Sequence, residues 1–124
     1  MGILFRLRQK YDTMKLKLKL KLKMKAITVK QPWFSLIQRK IKKIELRKWK
    51  TNEKEIYILS PFGDKTQYAL RCKITEITPF NPEHQSFAKY PWKKNFHAWH
   101  IEVLDEILLK NKIRGKLGLF DVNI

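Results

Sequence analysis

The chain has 124 residues, 44% of them hydrophobic, which is enough for one domain with a single modest core. It carries 28 lysine and arginine residues against 11 acidic residues, and this net charge of +17 favours a polyanionic partner such as a nucleic acid or an anionic lipid surface. The one cysteine, Cys72, excludes an intramolecular disulfide and a cysteine metal cluster, and it suits a reducing compartment, so we expect a cytoplasmic location.

Residues 1–23 differ in composition from the rest of the chain. Lysine and leucine alternate strictly from Lys15 to Lys23, which would put the leucines on one face of an extended segment and the lysines on the other. We interpret residues 1–23 as a basic low-complexity arm and residues 24–124 as the domain. The arm has three open interpretations: a phosphate-seeking tail, a weak contact with an anionic membrane, and sequence ahead of a native start at Met24. No apolar run approaches the roughly 20 residues of a membrane span, and we see no secretory signal.

The pattern after Met24 predicts one clear helix among several strands. The helix begins at Pro32, and its apolar stripe is expected to bury Trp33. Trp99 shares parity with Ile101 and Val103 on a later strand, which favours core packing for its ring. The strands are expected at residues 26–29, 44–49, 55–60, 68–78, 96–104 and 117–122, with a polar loop containing aromatic residues at 80–95 and a helical turn at 104–109. This order predicts an α+β fold, a small β-barrel with one or two flanking helices.

The segment from residue 30 to residue 51 carries the most chemical information. A helix ends near Lys42, and the following strand alternates so that Glu45, Arg47 and Trp49 share one face. That face combines a hydrogen-bond acceptor, a planar guanidinium and a stacking surface, which are the groups that read an unpaired base. The alternative is a structural one, with a Glu45–Arg47 pair on a solvated sheet face and Trp49 partly in the core.

Two separated motifs make the chain resemble a known family. The first is Lys30-Gln31-Pro32-Trp33 followed by Lys42-x-x-Glu45-x-Arg47-x-Trp49-x-Thr51; the second is Trp99-x-Ile101 leading into residues 115–122. Together they are similar to the ASCH domain over residues 24–124. The resemblance implies a PUA-like β-barrel that binds RNA or nucleotides in a cleft beside the first helix.

The resemblance also implies which side chains line the cleft. We expect Lys42 and Arg47 to contact a phosphate or a base edge, and Glu45 to accept from an exocyclic amine or to hold Arg47. Trp49 would stack on a base, with Lys30 and Gln31 at the border. The chain departs from the usual family pattern at Lys40, where glycine is common, and at Lys43, where threonine is common. We expect Lys40 to end the helix without a positive φ.

A hydrolase acting on RNA or a modified nucleoside, with Lys42 and Glu45 as its acid/base pair, is the alternative to a binding module. One branch of the family hydrolyses acetylated cytidine with Lys, Thr and Glu. Its threonine would fall on Glu45, which lacks the hydroxyl nucleophile, and Glu83 has no motif around it, so that activity is not transferred and a binding module is favoured. No cofactor is expected. His97 and His100 point to opposite faces of a strand, and with His84 as the remaining histidine no metal site is predicted.

Overall fold

The computed structural model describes residues 8–12, an exposed helical turn, and residues 23–124. The alternating lysine–leucine segment, except for its last lysine, lies outside the described residues, so the three interpretations of the arm stay predictions. The elements of the domain are β1 (Lys23–Thr28), α1 (Trp33–Gln38), β2 (Ile44–Arg47), β3 (Glu55–Leu59), β4 (Tyr68–Pro79), a 3-10 turn (Pro82–His84), α2 (Gln85–Ala88), β5 (His97–Leu108) and β6 (Phe120–Asn123). No helix of the described part is long and apolar enough to cross a membrane.

The strands form one mixed sheet with the order β2-β5-β4-β3-β1-β6. β1 runs parallel to β3, and every other neighbouring pair is antiparallel. The sheet and its short helices confirm the predicted α+β class. Among the described strands β2 and β6 form the two edges and do not pair with each other, so the predicted closure into a barrel is not confirmed.

Both faces of the sheet centre are buried. β3 reads as a continuous apolar run because its alternate residues enter different clusters, with Ile56 and Ile58 on one face and Tyr57 and Leu59 on the other. The first cluster includes Trp99 and is covered by the buried side of α1. The second cluster is completed by β6. A third cluster forms under residues 80–96 and contains Ile44, Phe80, Ala88 and Ala98.

Two sequence-based predictions about strand and helix boundaries are wrong. The expected helical turn at residues 104–109 is strand, because β5 continues to Leu108 and pairs there with Tyr68 of β4. α1 ends at Gln38, and its buried side chains are Phe34 and Ile37, while Ile41 is 39% exposed. The helix therefore ends four residues before the predicted end near Lys42, and Ile41 lies outside it.

The backbone conformation of Lys40 also differs from the prediction. Its φ is +61°, so it adopts the left-handed conformation that was not expected of it. The residue thus keeps the backbone geometry that glycine usually provides at the end of a helix. The amide N–H groups of Ile41 and Lys42 both donate to the carbonyl of Leu36, and this tight turn directs the next residues back towards the sheet.

Cys72 lies in the first cluster with no exposed surface, and burial raises the pKa of its thiol to about 12. We therefore expect alkylation by iodoacetamide at pH 8 to be at least about a hundredfold slower in the native protein than in urea, because the native thiol is neither accessible nor readily ionised. Mass spectrometry of timed samples measures the two rates. Equal rates would mean that the strand opens readily.

Candidate functional site

A cleft of about 230 Å³ opens where β2 meets α1 and the loop before β5. Its walls are mostly apolar and aromatic, and two charged side chains contribute to them. The lining residues are Trp33, Lys42, Glu45, Leu46, Tyr90 and Phe96. The rings of Trp33 and Tyr90 lie 6.0 Å apart between centroids and are tilted by 59°. The cleft is thus a small, concave site with few polar groups, as is typical of a ligand pocket.

Lys42 is the buried cation of this cleft, with only 3% of its surface exposed. The turn at Lys40 carries it inward, and its Nζ donates a hydrogen bond to the carbonyl oxygen of Ala88 at the end of α2. Burial lowers the pKa of the Lys42 ammonium; the carboxylate of Glu45 raises it and the guanidinium of Arg47 lowers it further, with a net decrease. Lys42 therefore releases a proton more readily than an exposed lysine.

Glu45 is the buried acceptor of the cleft, with 7% of its surface exposed. It lies on β2 opposite Trp99 of β5. Its Oε1 accepts the backbone N–H of Leu46 at 2.9 Å, while its Oε2 is shielded from solvent and has no hydrogen-bond partner. A buried polar atom without a partner costs about 1–3 kcal/mol, and more when it is charged. The carboxylate thus has an acceptor position that the protein does not fill.

Arg47 links two strands that are far apart in the sheet order. Its Nη2 donates to the carbonyl of Thr28 at the end of β1, at 3.1 Å. The alternative Glu45–Arg47 pair is not among the ion pairs of residues 8–12 and 23–124, which join Lys25 to Asp121 and Arg71 to Glu55. Three buried side-chain atoms of the described residues have no hydrogen-bond partner, namely Arg47 Nε, Thr28 Oγ1 and Glu45 Oε2. Arg47 is therefore a structural link beside the cleft.

Trp49 packs against the first cluster. Its ring meets that of Trp99 edge to face, with centroids 5.0 Å apart, and its carbonyl accepts the Nε1–H of Trp99 at 3.1 Å. The second glycine of the last motif, Gly118, lies near this ring with a φ of +67°. Trp49 is partly buried and does not line the cleft, so stacking on a ligand there would use only its exposed part.

Lys30 and Gln31, which were expected at the border of the cleft, make different contacts. Lys30 is exposed, and its carbonyl accepts the N–H of Phe34. The Gln31 side chain accepts both the N–H and the hydroxyl of Ser35, at 3.0 and 2.7 Å, and donates to Asp64 at 3.1 Å. Gln31 therefore caps the first turn of α1. Of the six predicted site residues, the structure brings Lys42 and Glu45 together in the cleft.

Two exposed lysines lie outside the aromatic walls. The Nζ of Lys48 is 5.6 Å from the centroid of the Phe96 ring, and the Nζ of Lys93 is 5.9 Å from that of Tyr90. Both contacts are within the range of a cation–π interaction. Positive charge therefore lies next to two of the aromatic rings that line the cleft.

Sequence reasoning missed the aromatic half of the site. Trp33 was assigned to the core, and it does pack against the first cluster, but it also lines the cleft. Tyr90 and Phe96 belong to a loop and a strand end whose position no local pattern reveals. The available signal was the density of aromatic residues in the predicted polar loop at 80–95, because exposed loops rarely need them.

The histidines are used for packing. His100 shares a hydrogen bond of 2.8 Å with the hydroxyl of Thr78, and its ring meets that of His84 edge to face at 5.2 Å. The described residues contain no group of three or more His, Cys, Asp or Glu side chains that could hold a metal ion.

The fold and the cleft define a small α+β domain with a mostly apolar, aromatic cleft that contains one lysine and one glutamate. The family model of the ASCH domain matches residues 27–111, well over half of the chain, so the protein belongs to the ASCH domain family. The match contains every residue that lines the cleft and ends before β6. A comparison with curated proteins finds none that matches the chain.

Proposed function

We propose that this protein is an RNA- or nucleotide-binding module that takes an unpaired base into the cleft. The observation that carries the proposal is a nine-tenths buried carboxylate with an unfilled acceptor position, Glu45, in a cleft with three aromatic walls. Flat aromatic walls suit a base, because stacking on aromatic side chains and hydrogen bonding at the edges are how single-stranded RNA is read.

The surroundings of the cleft support the same ligand class. Lys42 adds a hydrogen-bond donor beside Glu45, and the rim lysines Lys48 and Lys93 suit phosphates on either side of the bound base. The net charge of +17 would raise the association rate with any polyanion. As further parts of this proposal, residues 24–124 form the binding domain, the sheet is of the PUA-like barrel type, and the protein acts in the cytoplasm.

The test is binding of the full chain to a single-stranded RNA, the matched DNA and a duplex RNA at two salt concentrations, with Tyr90→Ala beside the wild type. Tyr90→Ala is expected to weaken binding to single-stranded RNA by about 10- to 100-fold, because base–aromatic stacking contributes about 1–3 kcal/mol per base. Fluorescence anisotropy with labelled oligonucleotides measures the Kd.

Phe87→Ala is the matched control, because Phe87 is a half-exposed aromatic residue of α2 that does not line the cleft. Its Kd is expected to stay within about twofold of the wild-type value, since no stacking contact is lost. If Tyr90→Ala and Phe87→Ala bind alike, and all binding disappears at the higher salt, the chain is only a non-specific phosphate binder.

A hydrolase is the second candidate, and the lowered pKa of Lys42 is the observation that favours it. A lysine that releases its proton more readily than usual, in the same cleft as Glu45, is suited to serve in an acid/base pair. Mass-spectrometric analysis of modified nucleosides and RNA incubated with the full chain tests this candidate. Turnover that disappears in Glu45→Gln, with RNA binding retained, would move the hydrolase to first place.

A further inference from the structure

Glu45 has hydrogen-bonding properties that restrict how a base can lie in the cleft. One of its oxygens is held by the backbone N–H of Leu46, so the carboxylate cannot turn freely. The other oxygen is shielded from solvent, so a group that only touches the protein surface does not reach it. A donor carried into the cleft on an inserted group can fill this acceptor position, and on a nucleobase that donor is an N–H.

The charge of Glu45 and the shape of the walls exclude other orientations. A phosphate entering first would bring negative charge against the carboxylate. A sugar entering first would leave the flat base outside the space between Trp33, Tyr90 and Phe96. A base entering by its edge keeps its faces against the aromatic rings and brings its N–H groups to the buried end.

Lys42 supplies the complementary group next to Glu45. An ammonium has three donors, and the Ala88 carbonyl accepts one of them. An acceptor and a donor side by side match a base edge on which an N–H is next to a carbonyl oxygen or a ring nitrogen. The outer lysines, Lys48 and Lys93, are then on the side of the sugar and its phosphates.

We propose that the base enters the cleft edge first, donates an N–H to the Glu45 carboxylate and accepts from Lys42, while its sugar and phosphates stay outside near Lys48 and Lys93. This inference rests on the proposed function and adds the orientation of the base and the group that is read. Because pairing occupies the same edge, the cleft takes bases from unpaired RNA whose edge carries no modification.

Uridine gives the sharpest probe, because its base has a single N–H, at N3, between two carbonyl oxygens. The experiment compares a short oligouridine with the same oligomer carrying one 3-methyluridine at each position in turn, bound to the full wild-type chain and to Glu45→Gln. In the variant, the amide oxygen is expected to keep the Leu46 N–H, which leaves an NH₂ donor where the carboxylate offered an acceptor.

The wild type is expected to bind the methylated oligomer at least tenfold more weakly at one position of the strand. In Glu45→Gln the unmodified oligomer binds more weakly and the methylation penalty falls to threefold or less, since the contact that methylation removes is already lost. Glu45→Ala, which removes the carboxylate and makes room for the methyl group, is expected to show no penalty. Circular dichroism establishes that each variant is folded.

Two results would overturn the edge-first orientation. A wild type that binds both oligomers equally does not read this N–H, and the same penalty in the wild type and both variants means that another group reads it. Failure of the proposed function looks different, because no oligomer would then bind in a manner sensitive to Tyr90→Ala. Binding that depends on Tyr90 but ignores methylation would leave the RNA-binding proposal standing and reject the orientation alone.

Discussion

Lys42→Met is expected to weaken RNA binding by about 10- to 100-fold, because a hydrogen bond from a charged donor contributes about 1.5–3 kcal/mol. Methionine keeps the length and most of the volume of the side chain, so the cleft retains its shape. Lys43→Met is the matched control, since Lys43 is the exposed neighbour and does not line the cleft. The control is expected to change the Kd by less than about threefold, as removal of one screened surface charge does.

Lys42→Met also tests the lowered pKa of Lys42, through the pH dependence of the free energy of unfolding. The pKa of the folded-state lysine lies below its ordinary value of 10.5, so the unfolded chain binds more protons between the two values. The contribution of Lys42 to stability therefore rises as pH increases through that interval. Urea unfolding at several pH values up to 10 should show the wild type gaining stability relative to Lys42→Met.

Two outcomes would contradict this account of Lys42. If the unfolding free energies of the wild type and Lys42→Met differ by the same amount at every pH, the pKa of Lys42 is not lowered in the folded protein. The hydrolase candidate would then lose its support. Equal RNA affinities of Lys42→Met and Lys43→Met would mean that Lys42 only supports the Ala88 carbonyl. Its function would then be to hold α2 against the turn before β2.

Trp99→Ala is expected to lower the free energy of unfolding by about 3–5 kcal/mol, as truncation of a large buried aromatic residue does. The indole has no exposed surface, it packs against Trp49, and its N–H satisfies the Trp49 carbonyl. This loss is a large part of the roughly 5–15 kcal/mol that stabilise a typical domain. Chemical denaturation monitored by circular dichroism measures the change.

Trp99→Phe separates packing from hydrogen bonding at the same position. Phenylalanine keeps much of the apolar volume but leaves the Trp49 carbonyl without its donor, so we expect a smaller loss of about 1–3 kcal/mol. An equal loss in Trp99→Phe and Trp99→Ala would mean that the hydrogen bond, and with it the position of the segment after β2, dominates. A loss below about 1 kcal/mol in Trp99→Ala would contradict the burial of this residue.

The sequence predicted the fold class and the two charged residues that line the cleft, for physical reasons that are visible in single residues. Trp99 was placed in the core because it lies two residues from Ile101, and alternate residues of an extended strand share one face. The structure buries Trp99 fully. Lys42 and Glu45 were selected because they stand three positions apart in the motif Lys42-x-x-Glu45-x-Arg47, and the cleft contains both. The family prediction is confirmed by the match over residues 27–111.

What the sequence did not reveal depends on contacts between distant segments. Two of the three aromatic walls of the cleft are Tyr90 and Phe96, and their position is set by tertiary packing on the third cluster. Arg47 was expected to contact a ligand, and the partner that its Nη2 meets, the Thr28 carbonyl, lies on β1, where no local pattern places it. The left-handed Lys40 could not be foreseen from residue type, since lysine normally avoids that conformation.

The pairing of β1 with β6 has a consequence for the order in which the protein folds. Lys23 is a register partner of Asn123, so among the described strands the first in chain order depends on the last. The cluster containing Ala26, Phe120 and Val122 cannot form until residue 123 has left the exit tunnel. Every residue that lines the cleft is synthesised earlier, by residue 96. Such distant pairing forms slowly. The cleft can therefore assemble before β6 has paired with β1.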